Sequence, residues 1–433
     1  MTGSLWRSRS FLLLWGGQTA GEVGARISGV AVPLLAATVL HASVFQVSVL
    51  AVLGWVPYLI VSLPAGVLAD RVDRRRLMIG CDLGRAVLLL ALPVGALTGH
   101  LTLVLLYAVV TLTGVLTVFF TVAYRTELPG LVGPERLVDA NAKVTMSQEL
   151  AELAGPALAG ALVGLAGAAR TFFVNSVTYL ISAMALALIR APARERVAAE
   201  RVGLRQAIAE GLSFVRRDAI LVKLLACTAV SNFFVMATHG VDVVFLTREL
   251  GASAVQVGLV FSLGAVGGVL AGTVADRLTR WVGTARTIWV SMVVPGPLYL
   301  LIPAAQPGWG LLLFAAGFAA FGANAMLYNV SALSYRQRIT PPPLLGRVNA
   351  SFLWISYGSI PLGALAGGAL GSAFGLRPAL LIAVLGMWSA SLFVVFSPLR
   401  GLRDFPAAAT RSDDAPGDQR RGQQREREAG RRD

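Results

Sequence analysis

Apolar segments long enough to cross a bilayer recur along nearly the whole of this 433-residue chain, and that recurrence leaves one broad class of fold open to it. A hydrocarbon core about 30 Å thick is spanned by roughly 20 residues of helix. No water is present there to satisfy stray amides, so a single long apolar run has to pair its backbone internally, as a helix does. Twelve such runs are expected, near 9–37, 44–68, 77–97, 102–124, 139–165, 170–190, 219–246, 254–274, 285–303, 309–332, 347–370 and 376–397. Pro33, Pro57 and Pro156 fall inside them, where neighbouring helices can take over the lost backbone bonds. With 56% hydrophobic and 14% charged residues and a mean hydropathy of +0.70, an ordinary soluble enzyme is excluded. The opening MTGSLWRSRS leads into the first run without a small-residue cleavage site, so it is expected to stay as an anchor.

The formal charge is +14, and every basic residue except Lys143 and Lys223 is arginine. A nucleic-acid partner would explain such a balance, but the arginines follow the loops instead. Loops on the N-terminal side carry Arg71, Arg74, Arg75, Arg76, Arg125, Arg136, Arg194, Arg196, Arg277, Arg280, Arg336 and Arg338, whereas the opposite loops hold Arg170, Arg248 and Arg377. The positive-inside rule then predicts a multi-pass cell-membrane protein with both termini cytoplasmic, and no nucleic-acid partner. Cys81 and Cys227 lie in apolar runs without metal-binding or disulfide spacing.

The sequence also repeats itself. SVFQVS at 43–48 returns as SAVQVG at 253–258, GVLADR at 66–71 as GTVADR at 272–277, and LVDANA at 137–142 as LGRVNA at 345–350. The expected fold is therefore an all-α polytopic membrane protein whose twelve helices form two parallel-related six-helix halves, 1–190 and 219–397. Halves of this kind place a substrate path at their interface and work by rocking. Between them, Leu204, Ile208, Leu212 and Val215 recur at helical spacing opposite Arg205 and Arg216, which predicts a cytoplasmic amphipathic linker over 191–218 lying on the membrane. The polar segment 398–433 is expected to be a disordered cytoplasmic tail.

The string GVLADRVDRRR at 66–76 resembles the signature loop between helices 2 and 3 of the major facilitator superfamily, with Gly66, Asp70, Arg71 and Arg74 on the matching positions. The second half keeps Gly272, Asp276, Arg277 and Arg280. LLLWGGQ at 12–18, CDLGRA at 81–86, LPGLVGPERLVDANA at 128–142 and GPALAG at 155–160 are similar to the drug:proton antiporter branch that includes macrolide-efflux and enterobactin-exporter proteins. The likeness covers roughly 9–397. It implies the major facilitator fold, a monomer, and antiport through the Gly155–Pro156 motif, with Ala159 where the fuller pattern has Gly. It also implies that Asp82 and Arg85 brace a cytoplasmic gate with Asp70 and Arg125.

Ionisable groups inside spans are costly, which makes each one a candidate for proton or substrate handling. Gln18, Glu22 and Arg26 recur every four residues on one face of the first helix. Glu22 either couples proton entry to cargo exit or only neutralises Arg26. Glu149 and Glu152, before Gly155 and Pro156, either carry protons or pair with arginines. Asp242, one turn from His239, is either a second titrating site or an outer gate contact. Thr113 and Thr117 on the fourth helix, Asn232 and His239 on the seventh, and Asn324 and Tyr328 on the tenth are expected to line, with Gln18, a large cavity of mixed polarity suited to an amphipathic cargo.

Enzyme chemistry finds no support: the histidines are His41, His100 and His239, no HExxH or G-x-S-x-G occurs, and neither lysine follows a glycine as a Walker A motif requires. No cofactor or metal is expected. The expected function is export of amphipathic small molecules (a drug, a macrolide-like antibiotic, a siderophore or another specialised metabolite) by proton antiport and alternating access. An importer or uniporter of the same fold, or a transporter-like sensor that binds without translocating, are the alternatives.

Overall fold

The computed structural model describes residues 5–189 and 204–405. Among these, eleven helices are long and apolar enough to cross a membrane. The first half comprises α1 (Arg9–Leu34), α2 (Val44–Arg71), α3 (Arg74–Leu97), α4 (Leu103–Val132), α5 (Leu137–Ala166) and α6 (Ala168–Ala187). Helix α6 is the twelfth expected span; its 20 residues include Arg170, Asn175, Ser176 and Ser182, which make it less apolar than the rest. After α7 (Leu204–Arg217), the second half comprises α8 (Ala219–Val244), α9 (Ala254–Val282), α10 (Thr284–Val293), α11 (Leu301–Ala304), α12 (Gly310–Ile339), α13 (Pro342–Phe374), α14 (Leu376–Ser389) and α15 (Ser391–Val395).

The repeat is visible in backbone detail. Both α1 and α8 end in a π-helical turn, Leu35–Val39 and Phe245–Glu249. Both are followed by a capping box, Ser43 with Gln46 and Ser253 with Gln256, that starts the next helix. Two places break the parallel. The expected span 285–303 is interrupted after α10 by a 3-10 turn, Gly296–Leu300. Pro295 and Pro297 lack the donors a continuous helix needs, and Trp388 packs into the space that Gly296 leaves, donating from Nε1 to the Val293 carbonyl at 3.2 Å. At the start of α3, Asp73 caps its own helix by accepting from Arg76 N at 2.8 Å. The matching position before α10 is Gly283, and there Asp404 supplies the cap from the end of the fold, accepting from Thr284 N at 2.9 Å.

That cap moves the expected start of the tail. Residues 398–405 belong to the fold: Leu399 and Phe405 are buried, and the Phe405 ring meets Tyr335 at 5.0 Å. Their apolar side chains fill the base of the second half, so only 406–433 of the expected tail lies outside the described residues. Of the linker, 191–203 is likewise outside them. Helix α7 packs on α13 rather than standing apart, with Val215 buried, Glu210 ion-paired to Arg347 and Gly211 closely apposed to the Arg347 backbone.

The two halves meet along α5 with α9 and α2 with α13, a symmetric exchange under the repeat. The tight part of this seam lies toward the face opposite the N-terminus. A Cβ on Gly160 would sit 2.5 Å from the Ala254 carbonyl, and one on Gly368 2.7 Å from Ser48 Cβ. Missing side chains let the backbones approach this closely. Arg248 crosses the seam, donating from Nη2 to the carbonyls of Ala37 at 3.3 Å and Ala42 at 2.7 Å. At the N-terminal face the glycine seam is not repeated: a Cβ on Gly66 would meet nothing within 4 Å. Among the described residues, the close backbone contacts of the seam gather at the far face.

Candidate functional site

Between the halves lies a cavity of about 420 Å³. Its walls are graded. Gln18, Glu22, Arg26, Arg85, Thr117 and Glu152 make the middle polar, while Val30, Pro33, Val243, Phe261 and Phe318 make the end beneath the far seal apolar, with His239 and Asp242 set among them. The cavity shares Gln18, Glu22 and Thr121 with a second space of about 330 Å³ that reaches Arg125, Leu128 and Asn141 near the N-terminal face. It also shares Gly29, Pro33 and His239 with a side chamber of about 380 Å³ walled by Trp55, Val109 and Thr113. Pro33 leaves the Gly29 carbonyl without its helical donor, so the apolar end also presents backbone polarity.

Arg26 organises the polar wall. Its guanidinium meets Glu22 one turn earlier, with Nη2 at 2.9 Å and Nε at 3.0 Å from Oε1, and its other arm pairs with Glu152 on α5. Gly155 makes this possible, because any side chain there would collide with Arg26 Cβ. Two expected candidates are thus joined through one cation. Glu149 is exposed and, among the described residues, forms no ion pair with Arg26.

Arg85 stands elsewhere than expected. It sits deep within α3, ion-paired to the fully buried Asp82, with its guanidinium carbon 4.5 Å from the Phe120 ring centre and 4.3 Å from that of Tyr179. Rings on both sides hold it at the cavity wall, well inside the membrane, instead of beside the gate with Asp70 and Arg125. Arg125 is exposed near the N-terminal face, as are Arg71, Arg277 and Arg280. Arg74 reaches the Thr126 carbonyl at 3.4 Å, and Asp276 lies 3.5 Å from Arg280 on the surface. Gly272 faces Met326, while the Asp70 side chain lies outside the described ones. Arg75, which the signature did not single out, binds the end of α6 through the carbonyls of Leu186 at 2.6 Å and Ala187 at 2.5 Å.

Of the expected cavity residues, Gln18, Thr117 and His239 line the central cavity and Thr113 the side chamber. Asn232, Asn324 and Tyr328 line none of the three spaces. Tyr328 is buried inside the second half, donating to the Leu224 carbonyl and meeting Thr228 Oγ1, each at 3.0 Å; it ties α12 to α8. Pro156 lines the cavity, and the next amide, Ala157 N, donates across the seam to Ser262 Oγ at 3.0 Å. Phe261 and Phe318, which no expectation named, contact each other at 5.4 Å; Gly264 leaves the room that Phe318 occupies.

A cavity walled by two six-helix halves and sealed at one face is the arrangement of a carrier. The chain matches the transmembrane secretion effector family over residues 4–422. It belongs to that family, within the major facilitator superfamily. It is 28% identical over 405 residues to the multidrug efflux pump Tap of Mycolicibacterium fortuitum, covering 90% of this chain and 96% of that one. It is 22% identical over 339 residues to macrolide efflux protein A of Streptococcus pyogenes, covering 78% and 83%. Its fold matches the crystal structure of the nucleoside transporter NupG (D323A mutant) with a TM-score of 0.73 at 12% identity, over 89% of this chain and 99% of that one. This chain is therefore a multi-pass membrane transporter of small molecules, and not an enzyme.

Proposed function

We propose that this transporter exports amphipathic small molecules by exchanging them for protons, with its N-terminal face in the cytoplasm. The carrying observation is the graded cavity, in which one guanidinium holds carboxylates from α1 and α5 beside an apolar end. Glu22, Arg26 and Glu152 together carry one excess negative charge, and a single proton neutralises the trio. A neutral trio changes what the bundle has to stabilise at its centre, and charge in low dielectric is expensive enough to bias which way the halves rock. Efflux in the names of Tap and of macrolide efflux protein A supports the direction, and the arginine excess on the N-terminal side supports a cytoplasmic N-terminal face. One chain forms the whole cavity, so a monomer suffices.

Everted vesicles with an acidified lumen test this. Adding macrolides, cationic dyes and siderophores in turn should release luminal protons for at least one compound, and Glu22→Gln should abolish the release. Release that survives in Glu22→Gln and in Glu152→Gln alike refutes coupling at the trio. Binding without any release supports a sensor instead.

A further inference from the structure

We infer that the side chamber is a second cargo subsite, which takes an uncharged alkyl arm joined through an amide to a bulkier body in the central cavity. The inference deepens the export reading and rests on it for the use of these spaces by cargo.

The chamber arises from a difference between the halves. An offset of 210 residues carries Ser43 of the first capping box onto Ser253, Ala51 onto Phe261 and Gly54 onto Gly264. On the helices packed against them the offset is 208: a Cβ on Gly114 would lie 3.4 Å from the Gly54 carbonyl, and one on Gly322 3.3 Å from the Gly264 carbonyl. Val110 and Thr113 therefore match Phe318 and Phe321. In the second half the three phenylalanines pack together, with ring centres 5.4 Å apart for Phe261 and Phe318 and 6.3 Å for Phe318 and Phe321. In the first half alanine, valine and threonine stand in their places and line a chamber of about 380 Å³.

An empty space of that size costs stability, because the atoms around it lose packing partners. Water fills it poorly, since aliphatic side chains dominate the wall and, among the described residues, no lysine, arginine or carboxylate lines it. The occupant that fits is apolar and uncharged. A second difference makes the door. Gly29 and His239 are matching repeat positions, and both line the chamber and the central cavity. A Cβ on Gly29 would meet nothing within 4 Å, so α1 leaves the passage clear. His239 is exposed there, with no hydrogen bond or ion pair among the described residues. A neutral imidazole offers one donor and one acceptor, and Pro33 leaves the Gly29 carbonyl free. An amide at the door matches them, its oxygen accepting from the imidazole and its N–H donating to the carbonyl. The arm then lies in the chamber and the body beside Phe261 and Phe318.

The test uses the full chain in lipid nanodiscs with N-alkyl-6-dimethylamino-2-naphthamides, uncharged fluorophores that carry a methyl, butyl or octyl arm. Affinity, referred to free aqueous probe, should rise by about fourfold for each methylene that enters the chamber. Ala51→Phe and Val110→Phe, which copy the second half, should each lower the octyl-to-methyl affinity ratio at least tenfold. His239→Leu should weaken every probe. A diazirine at the end of the octyl arm should label chamber residues of α2 and α4. Label confined to the central cavity or to bilayer lipid, the result expected if a phospholipid chain holds the chamber, overturns the inference without any variant. So does an octyl-to-methyl ratio that stays at the wild-type value in both phenylalanine variants. Uptake of the same probes into everted vesicles separates the two claims. Chamber labelling with no uptake defeats export and leaves the subsite standing, while uptake with label only in the central cavity defeats the subsite and leaves export.

Discussion

Replacing Gly160 by alanine should turn the far seal into a weak point and shift the transporter toward its other face. A Cβ there falls 2.5 Å from the Ala254 carbonyl and 3.0 Å from Gly258 Cα, so it is about 0.9 Å short of ordinary 3.4 Å contact with backbone that no rotamer change can move. Overpacking of this kind costs about 1–3 kcal/mol. The clash exists only while α5 and α9 are closed at that end, so the cost acts on one state and changes the balance by roughly 5- to 150-fold. Gly16→Ala is the control. It gains the same helix propensity, about 1 kcal/mol, yet its Cβ meets nothing within 4 Å. Spin labels on the exposed pair Leu165 and Leu259 report the far ends of α5 and α9, and labels on Val138 and Trp281 report their N-terminal-face ends. Gly160→Ala should lengthen the first distance and shorten the second, and Gly16→Ala should leave both unchanged. A folded Gly160→Ala protein with wild-type distance distributions would refute the reasoning.

Other expectations follow from single contacts. Glu149→Gln should leave proton release in everted vesicles at the wild-type level, whereas Glu152→Gln, which loses the Arg26 pair, should reduce it by tenfold or more. Tyr328→Phe removes the bond to the Leu224 carbonyl inside the second half and should lower stability by about 1 kcal/mol in denaturation assays, with cargo uptake unchanged. Asp404 has its carboxyl held below the ordinary aspartate range, first by the Thr284 amide it caps. Its contribution is therefore present above the unfolded-state value and fades as pH falls through the folded one. Asp404→Ala should lower the thermal midpoint at pH 7, and the gap to wild type should narrow as pH falls below the ordinary aspartate range; a gap independent of pH contradicts the assignment.

The spans and the repeat were legible because hydropathy and backbone capping are local: a capping box and a π-turn recur where the sequence repeats. The break after α10 was equally written in Pro295, Gly296 and Pro297, but a window that averages hydropathy passes over it. Arg26 was legible as the partner of Glu22, four residues away, and not as the partner of Glu152, which depends on Gly155 admitting another helix. Asn232, Asn324 and Tyr328 were polar residues in helices assumed to face the cavity. The facing depends on how each helix rotates against its neighbours, and Tyr328 spends its hydroxyl inside one half. Arg85 was misplaced because its resemblance to a motif said nothing about depth, which Phe120 and Tyr179 determine.

Accumulation of a radiolabelled macrolide in everted vesicles, with and without an imposed proton gradient, tests the central claim most directly. The account predicts uptake against the macrolide gradient while the lumen is acidic, and release of the label when an uncoupler is added. Equilibration that ignores the proton gradient, or accumulation only in vesicles of the opposite orientation, would contradict it.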